Sequence, residues 1–409
     1  MPVAKTPRGK NTVQLQLENR STLLKLLRQN SHVCRKDLAE ISGLTGATVT
    51  NLTRDLIAVG LISEDKDYNG PMNRNAVSLK INYDRFLVMV VSLRRGRISY
   101  AVSNLNGEVL EQYHTQFEMG EEVGKTLTVL SDTIVRFLEA PAYQGRFVGI
   151  GLSVPGPINL EKGEISYLSY MPGWKAIPVK KYLEERFNLP VIMDDLANAA
   201  ALAEKWFGCG RNYHNLISIL VSKGIGAGII INDRICHGSL GFAGQIGHVS
   251  IDFDGPLCDC GNHGCLETYC STFALVKKAR TMLGEDMVGG FDEFRERVSN
   301  GDKRLTELVI ESGRHLGYAI VNLANTVNPE LIVLHGDMTA FGAVWIESVR
   351  RAALDRLLPD VVSRLEIKLS ALSENPVLLG TAAMVCEYIF DNPRLSCFGG
   401  HSQAGPEED

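Results

Sequence analysis

LAEISGLTGATVTNLTRDLI, residues 38–57, reads as two short helices broken at a glycine. Leu38, Ala39 and Ile41 form one apolar stripe that stops at Ser42-Gly43, and a second begins at Leu44-Thr45 with Val49, Leu52, Leu56 and Ile57 facing inward. Upstream, Leu23, Leu24, Leu26 and Leu27 make another helical stripe, with Asn19 and Ser21 as candidate caps and a break at Gln29-Asn30-Ser31. This spacing is the helix-turn-helix arrangement, whose second helix enters a DNA major groove and sets its early outward residues against base edges. Those residues are Thr45, Ala47, Thr48, Asn51 and Arg54. A three-helix bundle made for protein contact is the competing reading.

After Gly60, Leu61-Ile62-Ser63 and Ala76-Val77-Ser78-Leu79 are expected to pair as strands across the polar loop 65–75, forming a wing. Asn73 and Arg74 near its tip would meet phosphate or minor groove, and Lys5, Arg8 and Lys10 would add backbone contacts. Charge agrees: residues 1–80 carry 12 Lys+Arg against 7 Asp+Glu, and the remainder carries 30 against 40. A basic head on an acidic body suits an anionic partner for the first and a small ligand for the second.

A chain of 409 residues exceeds one ordinary core, and 45% hydrophobic with 22% charged residues describes a globular protein. No apolar run reaches the ~18–20 residues that span a bilayer, and MPVAKTPRGKNTVQ lacks the apolar core of a secretory signal, so a cytoplasmic, membrane-free protein is expected. Nine cysteines form no repeating framework, and four crowd into residues 258–270, which favours metal over disulfides.

From residue 86, buried strands alternate with helical stretches: Phe86 to Ser92, Ile98 to Ser103, a helix over Thr126 to Leu138, and Phe147 to Ser153. A second α/β unit starts near Pro190-Val191-Ile192-Met193 and contains the glycine-rich strand-turn-strand Leu216 to Ile231 and the strand Leu331 to Leu334. The expected organisation is a head over 1–82, a first α/β lobe over 83–190, a second over 191–398, and a disordered polar tail over 399–409. Two such lobes usually hold a ligand between them.

His248, Cys258, Cys260 and Cys265 offer one nitrogen and three sulfurs within 18 residues, separated by Gly261 and Gly264, which allow a tight loop. Four N/S ligands describe a closed structural zinc site, against the alternative of grouped free thiols. Cys270 nearby is read as packing.

Six stretches in order resemble the ROK group of bacterial repressors and sugar kinases: Ser153-Val154-Pro155-Gly156-Pro157, Asn198 to Glu204, Gly224-Ile225-Gly226-Ala227-Gly228, Gly247-His248, Cys258 to Glu267, and Asn325-Thr326-Val327-Asn328-Pro329. The resemblance implies an actin-like ATPase fold in two lobes, with a sugar pocket beside the zinc loop. Gly156, Asp195, Gln245, His248 and Glu267 would line it, His248 serving metal and sugar together. Such carboxylate, amide and imidazole groups suit a polyhydroxylated ligand, because each buried hydroxyl needs a partner.

Against the kinases of that group, this chain departs at the phosphate loops. Ser92 stands where they carry an acid, and Arg94 and Arg95 where they carry glycines. Anchoring on Asn198-Ala199-Ala200 sets Leu196 at the position of their catalytic aspartate, with Asp195 one residue earlier; a one-residue shift would return Asp195 to the base position. Ser222-Lys223 replaces Gly-Thr before Gly224, and Gln245 replaces a glutamate. The expectation is therefore a repressor, not an enzyme, that binds double-stranded operator DNA as a homodimer or homotetramer and responds to a sugar or sugar phosphate. An active sugar kinase with an added head, or a regulator governed by a protein partner, are the alternatives.

Overall fold

The computed structural model describes residues 11–398 apart from 31, 66–76, 95, 117–121, 169–172, 285–288 and 373–374. The chain begins with helix α1 (Thr12–Gln29), strand β1 (Val33–Cys34), α2 (Arg35–Ser42), α3 (Gly46–Ala58), β2 (Ile62–Asp65) and β3 (Ser78–Ile81). Gly43 takes a left-handed φ of 71° at the end of α2, and the Thr45 hydroxyl caps α3 by accepting from the Thr48 amide. β2 and β3 pair antiparallel from Ile62↔Ile81 to Asp65↔Ser78, and β1 adds a third strand to β3.

The head departs from the sequence expectation at the second wing strand, which begins at Ser78 and runs on to Ile81, and at its first two helices. α1 starts seven residues before Asn19 and is capped by Asn11, whose side chain accepts from the Gln14 amide. Its added turns carry Val13 and Leu15 outward, 57% and 45% exposed, so no inward stripe announced them. Ile41, expected inside, is 56% exposed.

The body holds two five-stranded sheets. The first contains β4 (Leu87–Arg94), β5 (Arg97–Asn104), β6 (Val109–Gln116), β7 (Phe147–Val154) and β11 (Val191–Asp195), ordered β11-β7-β4-β5-β6. Helices α4 (Val123–Leu138) and α5 (Val179–Phe187), and a small sheet of β8 (Ile158–Asn159), β9 (Glu164–Tyr167) and β10 (Lys175–Ile177), complete that lobe. The second sheet contains β12 (Leu216–Val221), β13 (Ile225–Ile231), β14 (Arg234–Ile235), β15 (Leu331–His335) and β16 (Glu366–Leu369), ordered β14-β13-β12-β15-β16. Both sheets repeat one plan: an antiparallel meander of three strands, then two strands added parallel to the first.

The division expected at 190/191 therefore falls inside the first sheet, because β11 pairs parallel with β7 from Val191↔Ile150 to Asp195↔Val154. Helix α6 (Leu196–Trp206) leaves β11, covers β12 and β13, and crosses the C-terminal helix α13 (Pro376–Asp391), which returns to β4 and β7. The remaining helices α7 (Glu267–Cys270), α8 (Thr272–Leu283), α9 (Phe291–Ser299), α10 (Lys303–Val327), α11 (Gly342–Leu354) and α12 (Pro359–Val362) lie between β14 and β16 in the chain. The α6–α13 crossing is close enough that a side chain at Gly380 would overlap the Ala199 carbonyl. The head shares a core with the body: Leu23, Leu24, Leu56 and Leu79 belong to one cluster with Phe86, Val88, Val385, Ile389 and Phe398. Among the described residues no helix is long and apolar enough to cross a membrane.

Candidate ligand cleft, metal cluster and head surface

A cleft of about 830 Å³ opens between the two sheets, lined by the β4–β5 turn, the β12–β13 turn, Pro155-Gly156-Pro157, the start of α6, and the segment carrying Gln245, His248 and Glu267. All five residues expected at a sugar, Gly156, Asp195, Gln245, His248 and Glu267, line it. Parallel strands β7 and β11 deliver Gly156 and Asp195 from their C-terminal ends, the usual ligand side of such a sheet. Gly156 has φ 80°, and a Cβ there would lie 2.9 Å from Leu168 Cδ2, so only glycine leaves its backbone open to the cleft.

Asp195 is 5% exposed and caps α6, its Oδ1 accepting from the Asn198 amide at 2.7 Å. Burial, and next the Asp194 carboxylate, push its pKa up. Asp194 in turn accepts from the Asp195 amide at 2.7 Å, from Asn198 Nδ2 at 2.8 Å, and sits 2.7 Å from His237 Nε2. That contact raises the His237 pKa against the effect of burial. Leu196, the residue after the cap, also lines the cleft and brings no proton acceptor.

Glu267 bridges the cysteine-rich loop and the glycine-rich turn, its Oε2 accepting from the Ile225 amide at 2.9 Å. A Cβ on Gly224 would lie 2.9 Å from that oxygen. The turn is fixed from below as well: the Ser222 carbonyl accepts from the Thr272 amide and its hydroxyl from the Asp337 amide at 3.2 Å. Thr272, Arg295 and Asp337 line the cleft and were missed in the sequence. Asp337 was findable, since His335-Gly336-Asp337 follows the parallel strand β15 at its C-terminal end.

His248, Cys258, Cys260 and Cys265 converge, with four ligand atoms within 4.8 Å of one another. Cys258 Sγ lies 3.7 Å from His248 Nδ1, and Cys260 Sγ lies 3.7 Å from Cys265 Sγ. A tetrahedral zinc with Zn–S near 2.3 Å has edges of roughly 3.8 Å, so these residues fit that ion. Burial, then the neighbouring Cys260 and Cys258, push the Cys265 thiol up to about 12, the crowding a bound cation would relieve. Nδ1 faces the thiols, which leaves Nε2 of His248 for the cleft it lines. Cys270 is buried in the second-lobe core.

On the head, Thr45, Ala47, Asn51 and Arg54 are exposed along the outer face of α3, and Thr48 is half-buried. Thr45 and Thr48 spend their polar groups partly on each other, with hydroxyls 2.9 Å apart. Arg74, with Asn73 and the tail from Gly399, lies outside the described residues, as do Lys5, Arg8 and Lys10.

The ROK family model matches residues 90–387. The xylose repressor of Caldicellulosiruptor bescii is 31% identical over 400 residues, spanning 95% of this chain and 100% of that one. The crystal structure of a ROK family transcriptional regulator, a homologue of the E. coli MLC protein, has TM-score 0.83 at 27% identity, over 94% of this chain and 99% of that one. The ROK hexokinase of Thermus thermophilus has TM-score 0.61 at 27% identity, over 73% of this chain and 97% of its own.

Proposed function

Because the chain belongs to the ROK family, we propose that it is a DNA-binding repressor of sugar-metabolism genes whose kinase-like body binds a sugar or sugar phosphate without phosphorylating it. The observation that carries this reading is the continuous core between head and body, which gives the cleft a mechanical route to α3. The kinase comparison stops at 73% of the chain, whereas the regulator comparison extends to 94%. Leu196 in place of a general base, and arginine in the β4–β5 turn, remove the parts phosphoryl transfer needs.

In this reading Gly156, Asp195, Gln245, His248 and Glu267 hold the sugar, and His248, Cys258, Cys260 and Cys265 hold zinc. The metal supplies a structural staple that positions Glu267 two residues after Cys265. Thr45, Ala47, Thr48, Asn51 and Arg54 meet the operator's major groove, with Arg74 at the wing. A homodimer presents two such heads to paired half-sites.

Helix α6 links the two sites. Its N-terminal cap, Asp195, lines the cleft; its last residue, Trp206, donates to Glu387 of α13 at 2.6 Å and lies under the Arg28 guanidinium of α1, 3.2 Å from the ring centroid. Eleven residues make a rod of about 16 Å between effector and head. A ligand that prefers one lobe angle needs only about 1–3 kcal/mol of coupling to change operator occupancy roughly 5- to 150-fold.

Fluorescence anisotropy with an operator fragment and a panel of sugars tests this. Asn51→Ala should weaken operator binding by about 1–3 kcal/mol, and Glu267→Gln should bind operator normally but lose the sugar response. Sugar-dependent ADP release by the zinc-loaded wild type would overturn the non-enzymatic reading.

A further inference from the structure

Arg94 ends β4 and lines the cleft, yet among the described residues its side chain makes no hydrogen bond or ion pair, and its Nε is sealed from solvent. Arg94 is half-buried, and a guanidinium nitrogen sealed from water with no acceptor is uncommon unless a ligand completes the group. Asp337 is the carboxylate whose charge acts on Arg94, and no ion pair joins the two among the described residues. The other carboxylates of the cleft are engaged elsewhere: Glu267 by the Ile225 amide, Asp195 by the α6 amides, and Asp292 by Arg295 at 3.2 Å.

We infer that Arg94 is the anchor of a phosphoryl subsite, and that the cleft takes a sugar carrying a phosphate group. Arg97, paired with Arg94 across the β4–β5 turn, and Lys223, on the facing β12–β13 turn, both line the cleft and make no ion pair among the described residues. A planar fork with two further cations matches the geometry and charge of a phosphate dianion, which a neutral sugar does not use. The exposed Gly224 and half-buried Gly226 leave backbone within reach of the same space. A volume of about 830 Å³ leaves room for this subsite beside the hydroxyl-binding end at Gln245, His248 and Glu267. The inference rests on the sugar reading of that end and adds the charge of the effector.

The test is calorimetric titration of the zinc-loaded full chain with free pentoses and hexoses, their terminal phosphates, inorganic phosphate and ATP, repeated on Arg94→Gln and Arg94→Lys. One sugar phosphate should bind at least tenfold more tightly than its free sugar. Arg94→Gln should erase that advantage while holding the free-sugar affinity within about threefold; Arg94→Lys, which keeps charge but loses the fork, should retain part of it. Arg94→Gln should also raise the melting temperature of ligand-free protein, because it removes a half-buried charge that has no partner among the described residues. A lowered melting temperature with unchanged binding would make Arg94 structural and overturn the proposal. Free sugar binding as tightly as its phosphate would overturn it and leave the sugar reading standing. ATP binding that depends on Arg94 and not on any sugar would make this a nucleotide site. Binding of neither sugars nor sugar phosphates would sink both readings.

Discussion

The two sheets repeat one topology, so the β4–β5 turn and the β12–β13 turn are equivalent positions facing each other across the cleft. They have been used differently. The second keeps Gly224, where a Cβ would lie 2.9 Å from Glu267 Oε2 and contest the Ile225 amide for that carboxylate. The first carries Arg94 and Arg97, and its Gly96 meets nothing within 4 Å; there glycine is required by φ of 78° alone. A duplicated fold therefore supplies two symmetric turns, and the side chains around each decide whether it presents backbone or charge.

The second turn is held by Glu267, which follows the cysteine-rich loop proposed to bind zinc, and that loop is the place of largest expected effect. Cys265 is fully buried and stands two residues before Glu267. Cys265→Ser should lose stoichiometric zinc, lower stability on the order of 4 kcal/mol, and remove sugar binding with it. Metal analysis and thermal unfolding check this. A variant that keeps its zinc and its melting temperature would show that the second turn stands without the loop.

A paired substitution sharpens the contrast. Gly224→Ala should cost about tenfold in effector affinity, roughly 1.4 kcal/mol, with stability nearly unchanged, because the new methyl displaces Glu267 from an exposed turn. Gly96→Ala should do the reverse, losing about 1 kcal/mol of stability through its left-handed backbone while leaving affinity alone. Equal effects at both positions would mean that the two turns are not distinguished as described.

These differences mark the limit of what the sequence reveals. The α2–Gly43–α3 turn, the buried strands and the clustering of His248, Cys258, Cys260 and Cys265 were legible because each rests on a local pattern: a periodic stripe, an apolar run, or a spacing of ligating atoms. The lobe boundary was not, because β11 and the strands of the second lobe are alike as apolar runs; only pairing with β7 assigns Val191–Asp195 to the first sheet. The start of α1 was hidden because its added apolar residues face outward. Arg94 was visible as a departure from a phosphate loop, but its lack of a partner is a property of the folded surroundings. The Trp206–Arg28 contact joins residues 178 apart in sequence and has no local signature.

A pH profile separates the two charged groups at the cleft, the half-buried Arg94 and the buried Asp195. Arg94 stays protonated throughout the accessible range. Asp195 titrates: burial and Asp194 raise its pKa from the unfolded value of 3.8 to about 7, so between these values the folded protein holds a proton that the unfolded chain has released. Its contribution to stability is fully present below 3.8 and is lost as pH rises through about 7. Asn caps a helix as well as Asp, so Asp195→Asn preserves the bond to the Asn198 amide and removes only the titration. His237, whose pKa is raised by Asp194, loses its stabilising effect in the same direction, but it remains in both proteins and largely cancels from the difference. The melting temperature of Asp195→Asn should gain on wild type steadily as pH rises from about 4 to about 7 and keep a constant lead above that. Parallel curves across that interval would mean that Asp195 is ionised throughout and that the cleft carries one more negative charge than described.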